Sequence, residues 1–301
     1  MDSLTHGLLA FYLLSYAGYG YEFLIPVVIG AMFPDLDILF QRISDRNPRL
    51  FILTHGGFTH SIAGAVVIAI MLTAITTLIG YAGVSVPPSG LTLFGAFLAG
   101  SLIHIGLDIM AFPGIPVLYP FSSRKHTLGI FPGPSLFIFG VTITFLVLVV
   151  LGIESLQTPS LYLAIVIGFI SFRALIRAVM AGTRQGITIP RMNPLWWFIV
   201  REDGDVYRLE SYRVMGQHEL LGEFPRYQNI TKEELAPYLD RPEVRRHLYY
   251  SYLSVAIRTD DTLRLYDPLR QEKFIWYPRD YVSIKLSLHD GPHDDTKPSR
   301  D

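Results

Sequence analysis

Four stretches of the chain, at 61–81, 91–111, 135–153 and 160–180, are apolar over about the 20 residues a helix needs to cross a bilayer. Hydrocarbon offers no hydrogen-bonding partner, so such a segment must satisfy its backbone internally and folds as a helix. Two shorter apolar runs, 7–18 and 22–34, precede the four. Gly18-Tyr19-Gly20-Tyr21 joins them and reads as the link of a tight helical hairpin. The expectation is a mainly α protein, a polytopic membrane helical bundle of about six membrane segments over residues 1–185.

Charge marks where that bundle ends. Residues 1–180 hold 7 Lys+Arg and 7 Asp+Glu, whereas the remaining 121 hold 18 and 19. Lys and Arg also fall in alternate loops: Arg42, Arg46 and Arg49 precede the span at 61, Arg124 and Lys125 precede that at 135, and Arg184 and Arg191 follow the last. The intervening 82–90 loop carries no charge, and Glu154 is the sole charge of the other. The positive-inside rule puts the basic loops, and with six segments both termini, on the cytoplasmic side of the inner or plasma membrane. Met1-Asp2-Ser3 lacks the basic start of a cleavable signal peptide, so these residues are expected to stay in the mature protein.

Beyond residue 190 the pattern becomes that of a small cytoplasmic α+β domain, 190–290. Trp197 to Leu209 reads as strand, Asp-Gly turn, strand. Thr231 and Glu234 form a capping box at the head of a helical stretch that Pro237 and Pro242 split in two. Alternating runs near 252–258, 262–267 and 281–288 read as further strands. The polar residues 291–301 read as a disordered tail.

The chain has no cysteine, so disulfides and thiolate metal sites are excluded and any metal must sit on imidazole and carboxylate. No basic block or DNA-reading motif points to nucleic acid. Five of the nine histidines, His6, His55, His60, His104 and His126, lie in the first 126 residues, in company with Asp2, Asp35, Asp37 and Asp108. An ionisable group in an apolar segment costs several kcal/mol unless paired, metal-bound or hydrated. On the topology above all nine fall at one face of the membrane, and His104 and Asp108 share one side of a helix. That convergence is what a shared metal site requires. Taken singly, each residue also has a plain reading as a cap, an interfacial histidine or a satisfied pair. His6, Asp35, Asp37, His55, His60, His104 and Asp108 are the expected ligands, with Asp2 and His126 as additional candidates. The donor set suits a divalent metal, zinc first and manganese or iron next, with one to three ions. Asp35 and Asp37 are also the catalytic candidates, one of them as general base. Arg124 and Lys125 are candidates for holding an anionic substrate. His218, His247, His289 and His293 read as surface or tail histidines.

Four blocks carry a family resemblance: Asp2-Ser3-Leu4-Thr5-His6, Phe33-Pro34-Asp35-Leu36-Asp37, Thr54-His55-Gly56-Gly57-Phe58-Thr59-His60-Ser61 and His104-Ile105-Gly106-Leu107-Asp108. In this order they resemble the YdjM-like family of inner-membrane proteins described as metal-dependent hydrolases, over about residues 1–180. Gly56 stands where that family usually has Arg, which leaves Arg124 or Lys125 to take over any grip on an anion. The resemblance, through a remote similarity to the helical fold of zinc-dependent phospholipase C, implies a phosphoester substrate. The C-terminal domain lies outside it.

Together these readings lead to an integral-membrane metal-dependent hydrolase cleaving a phosphoester of a lipid or lipid-linked substrate at the cytoplasmic face. The alternative is a non-catalytic metal-binding scaffold that docks a cytoplasmic protein partner through its C-terminal domain. An ion transporter would need ligands near the bilayer midplane and on both halves of a path, and ranks last.

Overall fold

Asp2 caps the first helix, α1 (Ser3–Tyr16), its carboxylate accepting the Thr5 N–H. After the Gly18–Gly20 turn α2 (Tyr21–Met32) follows, and the chain then narrows into a 3₁₀ helix, Phe33–Phe40. Pro34, in the first turn of that segment, has no N–H to donate, and the chain leaves α geometry there without leaving the helical course. The short α3 (Gln41–Arg46) and two 3₁₀ turns, Pro48–Leu53 and Phe58–His60, lead into α4 (Ile62–Tyr81). Then come α5 (Gly90–Asp108), α6 (Leu136–Val150) and α7 (Ser160–Thr183). This computed structural model describes residues 1–81, 88–157, 159–183, 186–214, 216, 218–276 and 281–288. Most of the charge-free loop at 82–90 and the tail at 291–301 lie outside the described residues.

Among the described residues four helical runs are long and apolar enough to cross a membrane: Tyr21–Arg46, Ile62–Tyr81, Gly90–Asp108 and Ser160–Gly182. The other two of the expected six are shorter than this. α6 has 15 residues, which at 1.5 Å per residue reach about 22 Å of a hydrocarbon core about 30 Å thick. α1 has 14. The run expected to end at 34 instead continues to Arg46, because Pro34 changes the helix type rather than stopping it. Ile70, Leu91, Val150 and Leu161 are exposed on these helices, the outward apolar surface of a chain whose solvent is lipid.

The chain divides into two units, the first comprising 1–41, 53–183 and 190–195 and the second 42–52, 184–189 and 196–301. In the first unit small residues bring α2 and α5 together. A Cβ on Gly30 would stand 2.3 Å from the Phe97 carbonyl oxygen, and one on Gly100 2.0 Å from that of Val27. Only glycine permits this approach, the usual device of helices packing in lipid.

Among the described residues the second unit holds two four-stranded sheets. One runs in the order β1 (Ile187–Pro190), β2 (Trp196–Asp203), β3 (Val206–Arg213), β4 (His218–Pro225), with β2 and β3 joined at Asp203 and Val206 around Gly204 at φ 57°. After β5 (Tyr227–Gln228) come α8 (Lys232–Leu235), opened by the Thr231–Glu234 capping box, and α9 (Pro242–Tyr250) behind Pro242. Next are β6 (Val255–Thr259), β7 (Thr262–Tyr266), the short α10 (Pro268–Gln271) and β8 (Ser283–Ser287), which complete the second sheet. Strand β4 escapes a sequence reading because its side chains do not alternate between buried and exposed. The excursion Arg42–Ile52, between Asp37 and His55 in sequence, belongs to this unit. Arg246 donates to the Ser44 carbonyl at 2.8 Å, the Tyr250 hydroxyl to that of Phe51 at 3.1 Å, and the Tyr281 hydroxyl to Asp45 at 2.6 Å.

His247, expected at the surface, is fully buried. It lies on the face of α9 that also buries Val244 and Tyr250, with Nδ1 2.9 Å from the Tyr281 carbonyl oxygen. Burial, with a smaller push from Arg270, lowers its pKa from 6.5 to about 4, despite the hydrogen bond to Tyr281. The unfolded chain therefore takes up this proton first as pH falls. The stabilisation is complete above pH 6.5 and is lost progressively toward pH 4, by up to about 3 kcal/mol. All three tryptophans, Trp196, Trp197 and Trp276, lie in this unit, so their fluorescence follows its unfolding in the full-length protein. Denaturant midpoints read this way should fall between pH 7 and 4.5, and His247→Gln should flatten the slope. An unchanged slope in that variant would assign the effect elsewhere.

Candidate metal centre

The centre is assembled from three places in the first unit. Asp35 and Asp37 project from the 3₁₀ segment after α2, His55 and His60 come from the 54–60 turn before α4, and His104 and Asp108 stand one helical turn apart near the end of α5. The turn bearing His60 is pressed against the head of α4, where a Cβ on Gly64 would stand 2.1 Å from the Phe58 carbonyl oxygen. The Gly30–Gly100 approach does the same for His104. It brings Ser101 Oγ within 3.0 Å of the Gly30 oxygen and His104 Nδ1 within 2.7 Å of the Ala31 oxygen. A carbonyl only accepts, so Nδ1 carries the proton and the Nε2 lone pair faces inward.

His60 is oriented in the same way. Its Nδ1 lies 3.2 Å from Asp37 Oδ2, which leaves Nε2 toward the interior, as in a carboxylate–histidine–metal arrangement. Asp37 is fully engaged. Oδ2 also accepts from Thr59 Oγ1, and Oδ1 lies 2.9 Å from His55 Nδ1.

Four atoms then face one point: Asp35 Oδ1, His60 Nε2, His104 Nε2 and Asp108 Oδ2. The two nitrogens are 3.2 Å apart, each is 3.6 Å from Asp35 Oδ1, and each is 3.4 Å from Asp108 Oδ2. A tetrahedron with metal–ligand bonds of about 2.0–2.1 Å has edges of about 3.3–3.4 Å. Asp35 Oδ1 is buried without a hydrogen-bond donor, while Oδ2 accepts from Ser3 Oγ at 2.6 Å. Buried carboxylate oxygens are normally satisfied, so an orphan aimed at two imidazole nitrogens marks where a cation fits. Asp35, His60, His104 and Asp108 form one set that could hold a metal ion, and Asp37, His55 and His60 a second. Within each set one donor atom per residue lies within 4.8 Å of the others.

A family model described as YdjM inner membrane protein matches residues 1–181. The chain belongs to this family. The matched YdjM region contains the whole of the centre and stops short of the sheets. Comparison with curated proteins and with solved structures gave no match.

Within the YdjM region the remaining candidates divide by position. His6 stacks on His104, ring centroids 3.9 Å apart, with Nε2 3.0 Å from Asp108 Oδ1 and neither nitrogen in hydrogen-bonding geometry. It flanks the first set without joining it. The Met1 amino nitrogen lies 2.6 Å from the same Asp108 oxygen. Asp2, instead of reaching the centre, uses both oxygens on Thr5. His126 pairs through its backbone with Ile115, and its buried Nδ1 has no hydrogen-bond partner; it belongs to neither set. Arg124, exposed, and Lys125 lie in the same loop and also stand outside both sets. Gly56 has φ 74°, a left-handed conformation that an arginine adopts only with strain. Sequence reasoning missed the supporting residues Ser3, Thr59 and Ser101. The spacing Ala96, Gly100, His104, Asp108 did carry a signal, small residues and donors in steps of four along one side of α5.

Gly100→Ala should lower stability by about 2 kcal/mol through overpacking against Val27. Gly106→Ala, on the same helix with nothing within 4 Å of the new methyl, should be neutral or slightly stabilising. Thermal denaturation in detergent compares the two, and equal melting temperatures would contradict the close approach that positions His104.

Proposed function

We propose that this chain is a metal-dependent hydrolase of the membrane, acting on a phosphoester of a lipid or lipid-linked substrate at the cytoplasmic face. The observation that carries the proposal is the pairing of a buried four-donor centre with a half-exposed histidine beside it. Asp35, His60, His104 and Asp108 hold the ion, and zinc fits two imidazoles and two carboxylates best. A divalent ion bound there supplies Lewis acidity and a water made nucleophilic at neutral pH. One ion is proposed, because a second ion on Asp37, His55 and His60 would have to break the hydrogen bonds that Asp37 makes with Thr59 and His55.

The protein groups divide the remaining work. Asp37 orients His60 through Nδ1, and Ser3 fixes Asp35 through Oδ2. The His55 side chain is 36% exposed and held to Asp37 at Nδ1, so its Nε2 is the atom placed to take a proton from the attacking water and return it to the leaving oxygen. This moves the general base from the Asp35 and Asp37 pair, whose oxygens are committed to the ion, Ser3, Thr59 and His55, to His55 itself. In this proposal α1 and α6 are two short segments beside the four long runs, which makes six with both termini inside. This topology puts the half-open side at the inner face, where lipid phosphates lie.

His55→Gln should retain bound metal yet lose about 100-fold or more of turnover, while His60→Ala should lose both. Metal content and hydrolysis of phospholipid, phosphodiester and ester panels, with and without chelator, measure this. Full metal occupancy with no hydrolysis on any panel would overturn the enzyme reading in favour of a metal-bound scaffold.

A further inference from the structure

Two arginines sit inside the last membrane-spanning run. Arg173 is 2% exposed and, among the described residues, has no carboxylate partner. It donates from Nε to the Ile130 carbonyl at 3.0 Å, from Nη1 to that of Met192 at 3.3 Å and from Nη2 to that of Arg191 at 3.1 Å. One turn on, Arg177 Nε donates to the Leu128 carbonyl at 3.2 Å, and its Nη1 is buried with no hydrogen-bond partner. Among the described residues neither guanidinium forms an ion pair. A cation in an apolar segment is paired or marks a ligand path, and carbonyl dipoles alone leave two full charges uncompensated. Guanidinium groups match phosphate oxygens in geometry as well as charge.

An apolar groove on the same helices supplies the second half of a ligand. It measures about 510 Å³, within the range of small-molecule sites, and is lined by α6 from Phe137 through Gly140 to Leu148 and by Tyr162 and Ile165 of α7. The Phe137 ring lies 4.3 Å from that of Phe169, and the Arg173 guanidinium lies 6.0 Å from the Phe169 ring. Ile165, Phe169, Arg173 and Arg177 follow one another in steps of four along α7. From Ile165 to Arg177 is about 18 Å at 1.5 Å per residue, the scale of a lipid tail. Glu154 lines the groove's other end, so an anionic head is attracted at the arginines and repelled there.

We infer that α6 and α7 form a seat for one anionic phospholipid, its phosphate on Arg177 beside Arg173 and an acyl chain in the groove past Phe137 and Gly140. The seat lies outside the metal centre and stands independently of any hydrolytic activity. Through Leu128 and Ile130, whose N–H groups donate to the Ile109 and Met110 carbonyls, the loop gripped by the arginines is tied to the turn that follows Asp108.

Native mass spectrometry of the full-length, delipidated protein, titrated with dioleoylphosphatidylglycerol or dioleoylphosphatidylcholine, tests the seat. The wild type should prefer the anionic lipid by about tenfold, because beside two arginines the choline cation of the other lipid offsets the phosphate that both carry. Arg177→Gln should abolish that preference and Arg177→Lys should keep part of it. Gly140→Leu enters open space, with nothing within 4 Å of the new Cβ, and so should leave the fold intact while lowering retention of both lipids. Unchanged preference in Arg177→Gln, or unchanged retention in Gly140→Leu, would overturn the inference. Displacement of the lipid by inorganic phosphate combined with an unaffected Gly140→Leu would also overturn it, by reducing the site to a free-phosphate contact.

Discussion

Burying Asp35 and Asp108 with His60 and His104 in an apolar helical unit costs several kcal/mol per ionised group unless their charges meet an opposite charge at close range. Much of the surrounding structure serves that constraint. The imidazole protons are turned outward, His104 toward the Ala31 carbonyl and His60 toward Asp37, so that both lone pairs point at the carboxylates. Ser3 occupies one oxygen of Asp35 and leaves the other without a donor. Hydrogen bonds alone would satisfy such a cluster by pointing protons inward. The direction chosen here is the one a cation needs.

Backbone proximity, not side-chain chemistry, makes this orientation possible. Glycine at 30 and 100 lets α2 and α5 approach until the carbonyls of one helix lie against the side chains of the other. Pro34 then redirects the end of α2 into a 3₁₀ course, on which Asp35 and Asp37 point to different partners, the first to the four-donor cluster and the second to the outer side of His60. The chain next leaves for the C-terminal unit, through Arg42–Ile52, before returning with His55 and His60. The two halves of the centre are therefore joined in sequence by a segment whose hydrogen bonds go to Arg246, Tyr250 and Tyr281.

Much of this was legible in the sequence, for identifiable reasons. Ionisable residues in apolar stretches are rare enough that Asp35, Asp37, His104 and Asp108 stood out, and the four-residue spacing of His104 and Asp108 fixed them to one side of a helix. The capping box at Thr231 and the hairpin around Gly204 were local signals and were read from local rules. What escaped depends on tertiary contact. That Asp37 holds His55 and His60 while Asp35 faces the cluster is decided by a rotation along a 3₁₀ turn, which no spacing rule resolves. His247 read as a surface residue because burial of a neutral imidazole requires the Tyr281 carbonyl, 34 residues away. Arg173 and Arg177 were counted as charges, but the carbonyls that hold them come from loops distant in sequence.

The account rests on a metal ion at the point where Asp35, His60, His104 and Asp108 converge. X-ray absorption at the metal edge of the detergent-purified, full-length protein tests this most directly. The expected spectrum is that of one equivalent of a divalent transition metal in a four-coordinate nitrogen and oxygen shell at about 2.0–2.1 Å, with multiple scattering from two imidazoles. Metal-free protein at neutral pH, or a six-coordinate shell of oxygen alone, would contradict it.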